Sequence, residues 1–291
     1  RSSHDTAALT TTRAVAAMHP FAPATLVSLP APLTPEALAN LYHELPVRYR
    51  DPASGEERVI DCAPCTYVNL AHADRTPNAS AVATLRHAAH LAAHSRHPTL
   101  SLAAGYIGAI RHAFHAIGTP HEMALTLSIA LSTGVTTPAT VDRYCHDLSV
   151  GGLGLHCTGF VMVYFRLRHG FGAPAAINNY RVERLRRRTV AEIQPDDVLV
   201  WEGDDGEMVD HIAVVSSVAG GGRFRIGEST GSFGGPANYY GRPGGVSIST
   251  YEFGAGIAGG GFQVRRNLEG RLFSSNVSVF AVERTPPAGR R

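Results

Sequence analysis

The chain has 291 residues, 44% of them apolar and 17% charged, which fits a folded protein with a sizeable core rather than a disordered one. A net charge of +2 gives no case for a nucleic-acid partner, and no apolar run approaches the roughly twenty residues that a bilayer span needs. All 26 basic residues are arginine, and the absence of lysine excludes a Schiff-base lysine, a phosphate-loop lysine and a Ser-Lys dyad.

Arg1 stands where an initiator Met would, with no charged-then-apolar leader behind it, so the chain is expected to begin either after processing, as where a signal peptide is removed, or at an artificial boundary. Residues 1–35 are rich in Ala, Thr and Pro and read as an irregular arm. From Thr34, "TPEALANLYHEL" supplies an N-cap, a first-turn Pro and an early Glu, the signature of a short helix. Residues 45–78 read as loop. Helical patterning resumes at Ser80, runs to His97, and continues through "LAAGYIGAIRHAFHAI" and "HEMALTLSIALSTG". Residues 36–134 are therefore expected to form a mostly α-helical region.

Two clusters in that region could carry chemistry. Cys62-Ala-Pro-Cys65 has redox-motif spacing but no clear strand before it or helix after it, so a local disulfide or two plain thiols is the simpler reading. No second CxxC completes a metal site, and the four cysteines are too few for a disulfide scaffold. His87, His90, His94 and His97 share one helical face and could bind zinc, yet no acidic residue accompanies them and a solvated polar face explains them as well. No cofactor is expected.

Residues 135–291 change character. Residues 157–169 read as one more helix, buried on much of its circumference, and strand-like runs follow: "DVLVWE", "HIAVVSSV", "RFRIGE", "GVSISTYEF", "GFQVRR" and "SVFAVER". A helix followed by a run of antiparallel strands makes the fold α+β rather than alternating βαβ. The glycine-rich stretch Gly231–Gly245 reads as a flap. The run Arg181–Arg188 reads as a solvated face or a hold for an anionic substrate, and Trp201 as a core or cleft-wall residue.

Cys157 opens the helix, where the backbone dipole lowers a thiol's pKa. A thiolate needs a base, and the base an orienting acceptor. His211 begins the strand "HIAVVSSV", and Glu228 ends "RFRIGE"; a hairpin across "AGGGR" brings the two together. Cys145 is a runner-up nucleophile, with no matching pattern after it. Gly227-Glu228-Ser229-Thr230-Gly231 also fits the serine-hydrolase elbow, but that fold needs a histidine after the serine and the last histidine here is His211.

"HCTGFV", "IQPDDVLVW", "DHIAVVSSV" and "FRIGEST" resemble, in order, motifs of the NlpC-type and CHAP-type peptidases and amidases. The similarity covers residues 144–232. It implies a papain-like fold, with a cysteine helix packed on an antiparallel sheet, and a hydrolase that cleaves a peptide or amide bond, most often in bacterial peptidoglycan. Carried over by position, Cys157 is the nucleophile, His211 the base and Glu228 the orienter. The same triad serves acyl transfer of the transglutaminase type, and the same fold can persist in a non-catalytic binding protein. A secreted or cell-envelope setting is favoured over the cytoplasm. Three positions depart from the pattern or match it poorly: Asp196 replaces a usual Gly, His156 replaces the usual Asp or Asn before the nucleophile, and Tyr144 is the nearest match to an upstream oxyanion-hole tyrosine.

Overall fold

The computed structural model describes residues 27–68, 82–84, 86, 100–147, 151–170, 182–202, 209–231, 244–257, 260–268 and 271–282. The four-histidine face and most of the expected flap lie outside these residues.

Helix α1 (Pro35–His43) starts as its sequence dictates, with the Thr34 hydroxyl accepting the Ala37 N–H at 3.1 Å and Pro35 in the first turn. The next segment is not loop. Leu45–Arg50 (β1) and Glu57–Cys62 (β2) form an antiparallel hairpin, in register from Leu45 opposite Cys62 to Arg50 opposite Glu57. The alternation that marks β1 is present in "LPVRYR", with Leu45, Val47 and Tyr49 buried. It spans too few residues, with Pro46 among them, to stand out, and β2 is mostly exposed. Residues Thr66–Tyr67 (β3) pair in parallel with Gly154–Leu155 (β4).

Helices α2 (Leu100–Phe114) and α3 (Pro120–Ser132) pack on one another, and α3 also covers β1. A capping box starts α3: the Thr119 hydroxyl accepts the Glu122 N–H, and the Glu122 carboxylate accepts the Thr119 N–H. A short helix, α4 (Val141–His146), precedes β4. Helix α5 (Cys157–His169) has the bounds its sequence predicts and stops at Gly170, whose φ of 68° is left-handed.

The strands β5 (Val198–Glu202), β6 (Val209–Gly220), β7 (Arg223–Thr230), β8 (Gly245–Gly256), β9 (Phe262–Leu268) and β10 (Arg271–Phe280) pair antiparallel in that order, and β10 closes back on β5. The six expected runs are thus one closed barrel, and the last strand begins earlier than "SVFAVER" indicates. Strand alternation divides the core. Ala213, Val215, Phe224, Ile226, Tyr251, Phe253, Phe262 and Val264 fill the barrel. Ile212, Val214, Val246 and Ile248 face outward into a second core, shared with Leu38, Tyr42, Leu127, Phe160 and Val161 of the helices. Helices α1 and α5 lie on β6 and β7, and a Cβ at Gly227 would run into Pro35 and Phe160, so the contact needs a glycine there. The helical region and the outer face of the barrel thus share one core, and the barrel interior is another.

Asp196, in the turn before β5, has a φ of 74°, the conformation for which glycine is the default residue. Its carboxylate bonds the Tyr164 hydroxyl and lies 3.4 Å from His169 Nε2, which ties the turn to α5. Of the arginine run, residues 182–188 lie as a strap along the barrel, bonded to β10 and the residue after it. Arg187 forms a two-pronged bond to Asp197, and Arg186 and Arg188 bind Glu183. The Arg186 guanidinium also lies over the Phe280 ring. Among the described residues, no helix is long and apolar enough to cross a membrane.

Candidate active site

By strand alternation, His211 belongs to the face of β6 that carries Ala213 and Val215, and Glu228 to the face of β7 that carries Phe224 and Ile226. Val214 pairs with Gly227, so His211 and Glu228 are diagonal neighbours at one end of the barrel interior. His211 Nε2 is 2.9 Å from Glu228 Oε2. The hairpin that the sequence implies is the one that forms.

Glu228 has no exposed surface, and four groups offset its burial. Arg266 Nη2 is 2.8 Å from Oε1, while the Tyr251 hydroxyl donates to Oε2 at 3.0 Å beside His211. Burial by itself raises the carboxyl's pKa. Arg266, His211 and a hydrogen bond from Ser249 outweigh it and hold the pKa at about 2. Trp201 leans on the His211 ring with centroids 4.9 Å apart, and its Nε1 donates to Ser275. Trp201 therefore walls the imidazole.

Cys157 is the first residue of α5 and 8% exposed. Burial raises the thiol, but hydrogen bonds from His156 and His211, and the charge on each, overcome it and bring the pKa down to about 5. Burial lowers His211 in turn, and bonds to Cys157 and Glu228 overcome that, pushing it up to about 9. With Nε2 at Glu228, Nδ1 is the ring nitrogen that remains to serve a nucleophile. The two shifts run in the directions that favour a thiolate beside an imidazolium.

The other cysteines differ. All four are free thiols, so no bridge joins Cys62 to Cys65. Burial, then Asp61 and Asp142, raises Cys62 to about 12. Cys145 is fully buried in the helical core. Ser229 is fully buried too, and its hydroxyl donates to the Leu155 carbonyl at 2.7 Å. It braces the strand that leads into Cys157.

Tyr144 is not the tyrosine beside the nucleophile. It is buried, its hydroxyl is 2.9 Å from that of Thr84, and its ring meets Phe114 edge-on. The phenol that senses Cys157 is Tyr67, raised first by burial and then by the thiolate's charge. The β3–β4 pairing puts Tyr67 opposite Leu155, two residues before Cys157. Nothing in the sequence near Cys157 signals a residue so distant. Arg266 and Tyr251 also escape a sequence reading, because their strands carry no motif. Among the described residues, no group of His, Cys, Asp and Glu could hold a metal ion.

Residues 149–230 match the family model of the CHAP domain. The CHAP domain is a papain-like cysteine peptidase/amidase family, and the match spans Cys157, His211 and Glu228. It points to a cysteine hydrolase of peptidoglycan-type amide or peptide bonds. The match stops at the end of β7, so the CHAP segment carries two complete barrel strands beyond β5, and β8, β9 and β10 fall outside it. No curated protein and no solved structure matches this chain.

Proposed function

We propose that Cys157, His211 and Glu228 act as a Cys-His-Glu triad that hydrolyses an amide or peptide bond of peptidoglycan or a related peptide. The observation that carries this reading is the buried chain from Cys157 through His211 to Glu228 and Arg266, with the thiol lowered to about 5 and the imidazole raised to about 9. The position of α5 against β6 and β7 supports a papain-like arrangement of cysteine helix and sheet.

The thiolate attacks the carbonyl carbon, and the oxyanion forms near the N-terminus of α5, within reach of the Cys157 N–H and the Tyr67 hydroxyl. His211 gives its Nδ1 proton to the leaving amine as the C–N bond breaks. It then takes a proton from the water that attacks the thioester, and the sulfur leaves as thiolate. Glu228 keeps the imidazole oriented and stabilises its charge. In this reading residues 135–291 carry the catalysis, and residues 36–134 brace the nucleophile's helix.

The test is digestion of purified peptidoglycan with mass spectrometry of the products. The wild-type protein should release new amine and carboxyl ends. Cys157→Ala should release none while keeping the wild-type circular dichroism spectrum. Normal turnover by Cys157→Ala overturns the proposal.

A further inference from the structure

Strands β8 and β9 lie outside the CHAP segment, yet each brings a polar side chain to Glu228. Tyr251 of β8 donates its hydroxyl to Oε2 at 3.0 Å, the same oxygen that His211 Nε2 approaches. Arg266 of β9 faces the other oxygen, with Nη2 2.8 Å from Oε1. The register accounts for this meeting. Phe224, on the inward face with Glu228, pairs with Tyr251, and Tyr251 pairs with Arg266, so three adjacent strands turn these side chains into the barrel.

Arg266 is costly where it stands. It is buried on a face whose other members include Phe253 and Val264, and its guanidinium lies 5.8 Å from the Tyr251 ring centroid. Nη2 also donates to Ser249 Oγ at 3.3 Å, but the buried Nε has no hydrogen-bond partner among the described residues. Enclosing a cation with a donor unpaired costs stability, and apolar residues of similar volume often serve a core as well as a buried ion pair does. What an apolar residue could not supply is a fixed charge beside Glu228, because a guanidinium keeps its proton. The ionisable groups that face the carboxylate are His211 on β6, Tyr251 on β8 and Arg266 on β9, with Cys157 of α5 beyond His211. Of these, only Arg266 carries a positive charge that no step of an acid–base reaction removes.

We propose that Arg266 is a positioning residue of the reaction, the permanent counter-charge that keeps Glu228 ionised and in place while His211 is neutral. This rests on the reading of Cys157, His211 and Glu228 as a triad. When His211 has given its proton to the leaving amine, the imidazole no longer balances the carboxylate, and Arg266 is the cation that stays. Glu228 then still holds the ring in the orientation from which it takes a proton from water. The catalytic unit therefore extends past the CHAP segment into β8 and β9.

Arg266→Gln keeps an N–H donor and removes the charge. A fixed positive charge disfavours protons nearby, so its loss raises the pKa of each titrating neighbour. In the full chain with nitrogen-15 histidine, the His211 ring signals are those absent from His211→Ala. Their titration midpoint should lie about one pH unit higher in Arg266→Gln than in the wild type. On peptidoglycan, kcat should fall about tenfold with KM little changed. An unmoved midpoint overturns the proposal, whatever the melting temperature does, and so does an unchanged kcat. Should Arg266→Gln fail to fold, Arg266→Lys retains the charge on a smaller head. A midpoint within about half a unit of the wild type then supports the proposal, and a rise of about one unit overturns it. The wild-type midpoint separates this outcome from failure of the triad reading. An ordinary imidazole midpoint of about 6.5 in the wild type overturns both. A raised wild-type midpoint that Arg266→Gln leaves in place overturns the role of Arg266 alone.

Discussion

His211 Nε2 lies 2.9 Å from Glu228 Oε2, and Glu228 is wholly enclosed inside the end of the barrel. The imidazole is therefore oriented by a carboxylate that water does not reach, and the carboxylate is kept ionised by Arg266 on a third strand. Glu228→Gln keeps the size and one acceptor but loses the charge, so the hydrolysis rate should fall about tenfold. Glu228→Ala should cost a further factor of about ten to a hundred. It also leaves Arg266 buried without its partner, at a cost of about 3 kcal/mol or more in unfolding free energy. Rates and urea melts of both variants check this. Ser229→Ala should leave the chemistry intact and cost about 1 kcal/mol, the value of its bond to Leu155. Loss of activity in Ser229→Ala but not in Glu228→Ala would reverse the assignment.

The pH dependence follows from the signs of the shifts. Cys157 is lowered to about 5, so the thiolate is lost as pH falls through about 5. His211 is raised to about 9, so the imidazolium is lost as pH rises through about 9. The profile of kcat/KM should be a bell with limbs near those values, each belonging to the coupled pair. Glu228 is lowered from an ordinary carboxyl to about 2, so its stabilisation is full above the ordinary range and drains away as pH falls through about 2. Between pH 5 and pH 2 the urea midpoint of the wild type should fall more steeply than that of Glu228→Gln.

Tyr67 is the candidate side-chain donor to the oxyanion. Tyr67→Phe should lower kcat about a hundredfold with little change in KM, because the bond is made chiefly in the transition state. Tyr144→Phe is the contrast. It removes the bond to Thr84 and should cost about 1 kcal/mol of stability with kcat unchanged. Steady-state kinetics of the pair distinguish the two tyrosines.

Gly159 and Ala116 join the helical region to the nucleophile. A Cβ at Gly159 would overlap the Ala116 carbonyl, and Ala116 has a φ of 59°. Gly159→Ala should destabilise the protein by about 1–3 kcal/mol and slow Cys157 labelling, since the backbone must shift at the start of α5. Ala116→Gly relaxes a left-handed alanine and should be neutral or stabilising by up to about 1 kcal/mol. Thermal melts of the two variants, with labelling at pH 6, test the connection.

Much of the proposed triad is legible in the chain because it is local. The start of α5, the alternation of β6 and β7 and the glycine turn between them are short-range patterns, and a tight hairpin fixes which residues of its strands meet. From these, Cys157, His211 and Glu228 can be named with their spacing alone, and the helix from Cys157 to His169 follows from its apolar run and its glycine stop. The departure at His156 is also visible in sequence, although its consequence is not. A histidine caps a helix only when its ring is pressed against the first turn, and here the buried His156 Nδ1 accepts the Gly159 N–H at the start of α5. Tertiary structure alone decided the rest. Closure of the strands into a barrel depends on pairing β10 with β5, segments far apart in the chain. The pairing of β8 with β7 and of β9 with β8 put Tyr251 and Arg266 on the strands beside Glu228. The parallel pairing of β3 with β4 brought Tyr67 to the thiolate and left Tyr144 in the helical core. Such contacts depend on how separate elements pack, and no periodicity along the chain records which of them will meet.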